Sequence, residues 1–241
     1  MAPPRLIVLG PSHYCERARW ALDHAGINYR EIRWAVGPHL ALARRLAPQS
    51  SLPILDTGTA IIQGSDRILD WIGTDGGDAA IERRLEDVTG PLSRRLIYAV
   101  TLADRHSGIR DALMQGVPTA QRWIAGAMWP LTRRLMVAKM DCRLRQLPLV
   151  RDQMATELDW FDAIIGDRRH LVGNRLGRAD ITAASLLAPL VRGPAVTAMY
   201  DQVRLPDELE QTLTRWNQRP ALRWVRHLYQ TQRSYSPTRS R

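Results

Sequence analysis

The chain of 241 residues is long enough to bury a hydrophobic core and to form one or two domains. Its 45% hydrophobic and 24% charged residues are typical of a globular protein, and two cysteines are too few for a disulfide framework, which favours the cytoplasm. The sequence opens without a basic segment followed by a long apolar run, and no apolar run reaches the roughly 18 residues of a membrane span. We therefore expect neither a secretory signal nor a transmembrane helix.

The net charge of +10 is concentrated after residue 75, where 26 basic and 17 acidic residues give +9. No acid follows Glu210, whereas seven arginines do. A basic region of this kind can meet nucleic acid or an anionic surface. However, the basic residues are 33 arginines and the single Lys139, a bias that runs along the whole chain. We interpret the charge as diffuse, expect no nucleic-acid partner, and keep binding to nucleic acid or an anionic surface as an alternative.

The first recognisable element is a strand, a turn and a helix near the start of the chain. Residues 5–9 form an apolar run that ends on Gly10-Pro11, which is typical of a buried strand. Apolar residues then recur at helical spacing up to Gly26, a glycine that suits a helix C-terminus. Ser12 is thereby placed at the N-cap, at the positive end of the helix dipole. Such a position suits an anion, including a thiolate.

The following residues predict a second strand over 28–34, a short helix or irregular segment over 38–47, and a hairpin over 51–63. Ser65 is predicted to be the N-cap of a helix that runs to Ile72, because apolar residues follow it at helical spacing. The order βαβ followed by ββα is that of a thioredoxin-like domain.

After a flexible connection at 74–78, helical patterns dominate the sequence. We predict helices over residues 79–112, 119–146, 150–165, 207–216 and 219–230. The second of these carries Trp and Met residues, which most often pack in a core and sometimes line a substrate cleft. We interpret them as core: Trp123, Met128, Trp129, Met136 and Met140.

Several short motifs, taken together, resemble the glutathione transferase superfamily, and in particular a branch of bacterial glutathione-transferase-like proteins. They are Ser12-x-x-Cys15 followed by Arg17 and Arg19, the Leu52-Pro53 pair, and Ser65 at a helix start. The resemblance implies an α/β thioredoxin-like N-terminal domain plus an all-α C-terminal domain. It places a glutathione-binding domain at 1–75, an all-helical domain at 76–232 and a disordered tail at 233–241. It also implies a buried helix in which Asp180 accepts a hydrogen bond from the N-cap Gly177, a structural role.

The resemblance further implies a glutathione-dependent transferase, a cytoplasmic homodimer that serves detoxification by joining the glutathione thiolate to a small electrophile. Glutathione is then a co-substrate, and no metal is expected. Ser12 would hydrogen-bond the thiolate, and Leu52, before a cis Pro53, would offer its backbone to the cysteinyl part. The γ-glutamyl part would bind at Gly64, Ser65 and Asp66.

Three positions depart from the family pattern. Gly64 stands where an acid precedes the serine, Ser51 where a basic residue is often found, and His13 where a proline usually follows the active-site serine. His39, Arg44 or Arg45 could replace one of the lost contacts with glutathione. Two alternatives follow: chemistry on Cys15, which otherwise is a small buried apolar residue, and a non-catalytic binding protein with the same fold.

Overall fold

A computed structural model of the chain describes residues 2–191 and 203–233. Its N-terminal part contains a four-stranded sheet and three helices: β1 (Arg5–Val8), α1 (His13–His24), β2 (Arg30–Arg33), α2 (His39–Leu46), β3 (Ile54–Asp56), β4 (Ile61–Gln63) and α3 (Ser65–Ile72). The strand order is β2-β1-β3-β4, with β1 parallel to β2 and the other two neighbouring pairs antiparallel. The predicted thioredoxin-like order is confirmed.

The sheet is covered on both faces because successive residues of β1 point to opposite sides. Leu6 and Val8 belong to a buried cluster with residues of α1 and α3, including Leu22 and Ile68. Ile7 belongs to a second cluster with Ile54, Ala43 and Ala47 of the α2 region. The apolar run of β1 therefore supplies two cores, which is why it lacks the alternation of a half-exposed strand.

After residue 78, the described residues form helices and the segments that connect them. Its helices are α4 (Ala79–Arg84), α5 (Gly90–Thr101), α6 (Ile109–Met114), α7 (Thr119–Lys139), α8 (Leu147–Ile165), α9 (Arg178–Leu187), α10 (Asp207–Trp216) and α11 (Pro220–Thr231). A π-helical turn at Leu85–Thr89 joins α4 to α5, and 3₁₀ turns lie at Leu144–Gln146 and Ala188–Leu190. A thioredoxin-like domain with an all-helical C-terminal part is the fold that the sequence predicts.

Two predicted long helices are wrong in extent. The helix predicted over 79–112 ends at Thr101, where the Ser107 hydroxyl donates a 2.6 Å hydrogen bond to the Thr101 carbonyl oxygen and a loop intervenes before α6. The helix predicted over 119–146 ends at Lys139, because Asp141 adopts a φ of 48° and pairs with Arg95 at 3.0 Å. A left-handed residue cannot continue a helix.

The core interpretation of the Trp and Met residues in α7 is wrong for Trp123 and Met128, whose exposed fractions are 78% and 41%. Met136 is buried, as expected, and Trp129 and Met140 are half-buried. The helix uses only a narrow face for packing, so side chains on its other sides stay in solvent.

The described residues form two compact units. The first contains residues 2–74, 111–132 and 233, and the second contains residues 75–110, 133–191 and 203–232. The segment 111–132 thus groups with the sheet although it lies within the predicted helical domain. The domain boundary predicted at residues 75 and 76 stays a prediction. Of the predicted tail, positions 234–241 lie outside the described residues, and Arg233 is buried.

The predicted role of Asp180 is confirmed in the second unit. Gly177 is the N-cap of α9, and its backbone N–H donates a 2.9 Å hydrogen bond to Asp180 Oδ2. The Leu171 N–H donates to the other carboxylate oxygen at 2.8 Å, and Asp180 is fully buried. Burial raises the pKa of this carboxyl, against the lowering effect of the two backbone donors. Asp180 therefore holds a loop to a helix start.

Buried charges in the first unit form a connected network along α1. Arg19 pairs with Glu31 at 2.7 Å and with Glu16 at 3.5 Å. Arg233 pairs with Glu16 at 2.8 Å and with Asp23 at 2.7 Å. All five side chains are at most 7% exposed. Because every acid in this network faces a guanidinium, its burial is compensated.

Glu31 makes the stability of the fold depend on acid pH. Burial acts to raise the pKa of Glu31, but Arg19 and Arg33 outweigh it and lower the pKa to about 2. An unfolded glutamate titrates at about 4.3, so the paired carboxylate stabilises the fold above that pH. We expect this stabilisation to be lost as the pH falls through about 2. Glu31→Gln should show a flatter decline of the unfolding free energy with acid pH, measured by urea unfolding at stepped pH.

Asp152→Asn is the control for that experiment, because the Asp152 side chain is 77% exposed. Its profile should follow the wild type. An unchanged slope in Glu31→Gln would show that Glu31 does not carry the acid dependence.

None of the helices in the described ranges combines the length and the apolar character that crossing a bilayer requires. Within the same ranges, no group of three or more His, Cys, Asp and Glu side chains is placed to hold a metal ion.

Candidate functional site

The sheet brings the predicted site residues to one of its ends. Ile7 of β1 pairs with Ile54 of β3 in antiparallel register, so the end of β1 lies beside the start of β3. Ser12 follows β1, and Pro53 precedes β3. The Gly64 N–H donates a 3.0 Å hydrogen bond to the Pro53 carbonyl oxygen, which adds the start of α3 to the same edge. Sequence positions about 50 residues apart thereby become neighbours in the first unit.

Ser12 is the N-cap of α1, as predicted. Its backbone is extended, with φ −88° and ψ 121°, and its hydroxyl oxygen accepts a 3.3 Å hydrogen bond from the Cys15 N–H. A serine hydroxyl carries one proton and two lone pairs. The Cys15 N–H occupies one lone pair, and the hydroxyl proton can rotate toward the Cys15 sulfur or toward a ligand. The ring of the buried His13 stacks on Tyr14 with 4.5 Å between centroids.

Arg19 supports the turn before Ser12. Its Nη2 atom donates to the Gly10 carbonyl oxygen at 3.2 Å and, more weakly, to that of Leu9 at 3.5 Å. Burial acts to lower the pKa of Arg19, but Glu31 and Glu16 raise it above its usual value. The guanidinium therefore stays charged while it fixes two carbonyl groups of the turn. The sequence motif contains this arginine, yet only the tertiary structure shows which groups it holds.

Cys15 lies in the core. Its side chain is fully buried in the cluster that contains Leu6, Leu55 and Ile68. Burial raises the pKa of the Cys15 thiol, against the lowering effects of Arg19 and of the hydrogen bond with Ser12. Both burial and the raised pKa keep this sulfur as an enclosed, neutral thiol.

The Leu52–Pro53 peptide bond is cis, and this prediction is confirmed. The half-buried Leu52 stands just outside β3. Among the described residues, no group donates a hydrogen bond to the Leu52 carbonyl or accepts one from its N–H. The carbonyl oxygen of the preceding residue, Ser51, accepts a 2.9 Å hydrogen bond from the Gln63 side chain. The backbone of Leu52 is thus an unpaired extension of the sheet.

The N-cap of α3 is Gly64, and the prediction that Ser65 fills this position is wrong. Gly64 has a φ of 104°, which side-chain-bearing residues rarely adopt. Ser65, the first helical residue, is buried, and its hydroxyl oxygen accepts a 2.7 Å hydrogen bond from the buried Arg17. The serine hydroxyl is therefore held by a side chain rather than by the helix backbone.

The Asp66 side chain lies close to Gly64. A Cβ built on Gly64 would lie 2.5 Å from Asp66 Oδ1. The Asp66 carboxylate thus already occupies the space beside the Gly64 Cα atom. Asp66 itself is exposed in the first turn of α3, where the helix dipole favours a negative charge.

Helix α2 carries the three residues that could replace a lost contact with glutathione: His39, Arg44 and Arg45. His39 is buried, and its Nδ1 atom accepts a 3.1 Å hydrogen bond from the Gly37 N–H. Arg44 and Arg45 are exposed in the last turn of α2. His39 is thereby committed to the local backbone, and the two arginines remain candidates.

The segment 111–132 contributes to the site region, although its sequence carries no motif that would have indicated this. The Gly10 Cα atom faces the Ala112 carbonyl oxygen, which a Cβ there would meet at 3.4 Å. The Gln115 carbonyl oxygen accepts a 3.3 Å bond from Arg33, and the Gln121 side chain accepts a 3.1 Å bond from the Ala35 N–H. The loops that follow β1 and β2 are therefore packed against residues more than 80 positions away.

Comparison with known proteins supports this fold. Residues 6–78 match the family model described as glutathione S-transferase, N-terminal domain. The comparison with curated proteins gave no match. In fold, the chain is similar to glutaredoxin 2 from Salmonella typhimurium, crystallised in complex with glutathione, with 17% identity, a TM-score of 0.54, and coverage of 93% of this chain and 99% of that chain.

Two further solved structures share the fold over nearly the whole chain. Glutathione transferase GSTFuA3 from Phanerochaete chrysosporium has 14% identity and a TM-score of 0.63, with 95% of this chain and 96% of that chain covered. Beta-etherase LigF from Sphingobium sp. strain SYK-6 has 14% identity and a TM-score of 0.56, with 94% and 99% covered. Residues 6–78 thus match a glutathione S-transferase N-terminal domain, and the solved structures share the fold of the chain.

Proposed function

We propose that the protein is a glutathione-dependent transferase that joins the glutathione sulfur to a small electrophile. The observation that carries this proposal is the meeting, at one end of the sheet, of an N-cap hydroxyl, an unpaired backbone segment and a helix N-terminus. These groups belong to Ser12, Leu52 and Ser65. Together they suit a ligand with a thiolate, a peptide backbone and a carboxylate, which is the chemistry of glutathione.

Ser12 is the proposed catalytic residue. Its hydroxyl proton can rotate to hydrogen-bond the bound sulfur, and the N-terminus of α1 favours negative charge at the same place. Both effects stabilise the thiolate relative to the thiol, so the thiol proton is released to solvent at lower pH. The thiolate then forms a carbon–sulfur bond with the electrophile, whose leaving group departs with the bonding electrons. Cys15, fully buried, is a poor alternative for this step.

Leu52 is proposed to bind the cysteinyl part of glutathione. Its N–H and carbonyl groups extend the sheet past β3 and can pair with a peptide backbone, as an added strand would. Such pairing depends on the main chain and not on the side chain.

Ser65 and Asp66 are proposed to bind the γ-glutamyl part. The Ser65 hydroxyl accepts from Arg17, so its own proton can donate to the ligand carboxylate, together with backbone N–H groups of the first turn of α3. The Asp66 carboxylate beside Gly64 can take the ligand ammonium group, in place of the acid that the family carries one position before the serine. We further propose a cytoplasmic homodimer with a role in detoxification.

A non-catalytic glutathione-transferase-fold binding protein is the second candidate. Ser51 favours it, because no basic side chain stands there for the glycyl carboxylate. Binding of glutathione without conjugation of electrophiles would select this candidate.

Asp66→Asn tests the binding site. We expect glutathione affinity to fall about tenfold or more, because a hydrogen bond to a charged group contributes about 1.5–3 kcal/mol. The measurement is isothermal calorimetry with glutathione and with cysteinylglycine, which lacks the γ-glutamyl part. Cysteinylglycine should bind both proteins equally, because it cannot reach Asp66.

Asp70→Asn is the matched control, since Asp70 is an exposed acid one turn later on the same helix. It should keep the wild-type affinity for glutathione. Equal affinity of wild type and Asp66→Asn for glutathione would remove Asp66 from the site, and no binding by the wild type at millimolar glutathione would refute the proposed function.

A further inference from the structure

A buried arginine of α1 is bonded to the first residue of α3. Arg17 is 1% exposed and Ser65 is 3% exposed. The Arg17 Nη2 atom donates a 2.7 Å hydrogen bond to the Ser65 hydroxyl oxygen, across 48 positions of the sequence. Both residues belong to the first compact unit. A cationic side chain therefore reaches the start of α3 from inside the protein.

The packing of α1 on α3 does not itself require a charge. Ala18 and Leu22 of α1 share a buried apolar cluster with Ile68 of α3. Taking a guanidinium out of water costs free energy, and an apolar side chain of similar volume would avoid that cost. The charge of Arg17 therefore calls for an explanation beyond the contact between the two helices.

The bond from Arg17 orients the Ser65 hydroxyl. A serine hydroxyl has one proton and two lone pairs, and Arg17 occupies one lone pair. Among the described residues, no oxygen accepts the Ser65 hydroxyl proton in a hydrogen bond. A cationic donor polarises the hydroxyl and strengthens the bond that its proton makes in turn. Ser65 is thus a buried donor that lacks an acceptor within the described chain.

The backbone beside this hydroxyl also offers donors. Ser65, Asp66 and Arg67 form the first turn of α3, whose N–H groups have no acceptor within the helix. Backbone N–H groups at a helix start favour an anion. The Ser65 hydroxyl adds a side-chain donor to them, and the Arg17 guanidinium places a positive charge behind the serine. The combination suits one carboxylate group.

We propose that Arg17 is a positioning residue that makes this site prefer a carboxylate, because it holds the Ser65 hydroxyl as a donor toward the γ-glutamyl carboxylate of glutathione. Arg17 acts through Ser65 and not on the ligand itself. The inference rests on the proposed function and adds to it the residue that sets the preference between ligands. No covalent bond forms or breaks in this step.

The test compares two ligands by isothermal calorimetry: glutathione, and glutathione whose γ-glutamyl carboxylate is replaced by a carboxamide. The wild type should prefer glutathione about tenfold or more, because a hydrogen bond to a charged acceptor is stronger than one to a neutral acceptor. Arg17→Met should lower this preference about tenfold and change the affinity for the amide about twofold or less. Partial unfolding removes binding sites for both ligands, so it leaves the ratio of the two affinities unchanged.

Two milder variants separate the charge of Arg17 from its size. Arg17→Gln keeps a polar side chain but removes the charge, and it should lower the preference about fivefold. Arg17→Lys keeps the charge and should lower the preference less than Arg17→Gln does. A purely structural bond between α1 and α3 would not produce an order that follows charge. Circular dichroism checks the folding of each variant.

Ser65→Ala tests the route of the effect. If Arg17 acts through the Ser65 hydroxyl, adding Arg17→Met to Ser65→Ala should leave the preference of Ser65→Ala unchanged, since coupled residues are not additive.

Arg30→Met is the matched control for loss of an arginine. Arg30 is exposed and pairs with Arg5 at the start of β1, at the end of the sheet away from Ser12. The variant should keep the wild-type preference for glutathione.

Three results would overturn the inference and leave the proposed function intact. They are a wild-type preference in both Arg17→Met and Arg17→Gln, an equal fall in affinity for both ligands in these variants, and a further fall in preference when Arg17→Met is added to Ser65→Ala. No binding of glutathione by the wild type at millimolar concentration would overturn the inference together with the proposed function.

Discussion

Ser12→Ala is expected to reduce the rate of conjugation of a standard electrophile by about tenfold or more at neutral pH. A hydrogen bond to a charged group contributes about 1.5–3 kcal/mol, and one pKa unit corresponds to about 1.36 kcal/mol, so the pKa of the bound thiol should rise by roughly one to two units. Fewer bound molecules then carry a thiolate at pH 7. The measurement is kcat/KM against pH, together with the ultraviolet absorbance of the bound thiolate.

The affinity for glutathione should change little, because Leu52, Ser65 and Asp66 remain. The rate of the variant should recover above its raised thiol pKa, a shift that general loss of structure would not produce. Cys15→Ala is the control, with only the modest loss of stability that a smaller core residue causes. Full activity in Ser12→Ala together with no activity in Cys15→Ala would reverse the roles of the two residues.

Arg233→Met is expected to produce the largest loss of stability. The Arg233 guanidinium is fully buried and pairs with Glu16 and Asp23, whose side chains are 2% and 1% exposed. Removing one partner of a buried ion pair costs about 3–5 kcal/mol, because the remaining charges stay buried without compensation. Methionine keeps an unbranched apolar stem, although the contact of the guanidinium with the Trp20 ring is lost together with the ion pairs. The free energy of unfolding in urea measures the effect.

Arg151→Met is the control, because it replaces an arginine whose ion pair is exposed to solvent. Arg151 pairs with Glu208 at 2.7 Å, but the two side chains are 36% and 78% exposed. An exposed pair contributes about 0–1 kcal/mol, so this variant should stay close to the wild type. Similar unfolding free energies for Arg233→Met and the wild type would mean that the buried network adds no stability.

Ser12→Ala and Arg233→Met examine different properties of helix α1. Ser12 uses the N-terminus of α1, while Glu16, Arg19 and Asp23 use the face of α1 that carries the buried charges. Arg19 connects the two, since it binds the Gly10 carbonyl oxygen and pairs with Glu16. The helix that presents the proposed catalytic hydroxyl is thus fixed by ion pairs as well as by apolar contacts.

The site was predictable from the sequence where the signals are local. The apolar run before Gly10, the N-cap Ser12 and the glycine after α1 determine a strand, a turn and a helix, because capping and periodicity act over a few residues. The cis Pro53 and the Asp180 cap were predicted from the resemblance of short motifs to the glutathione transferase superfamily. The roles proposed for the site residues rest on these positions and await the experiments above.

The tertiary structure alone decided the features that join distant residues. Gly64 rather than Ser65 is the N-cap of α3 because the non-helical backbone ends at Gly64, and Arg17, 48 positions before Ser65, binds the Ser65 hydroxyl. Arg233 completes a charge network with Glu16, 217 positions away, although its sequence context indicated a disordered tail. Trp123 and Met128 of α7 were interpreted as core, yet both are exposed because no other element of the described chain covers them. Periodicity determines which side chains share a face of a helix, but only the packing of the whole chain determines whether that face is buried.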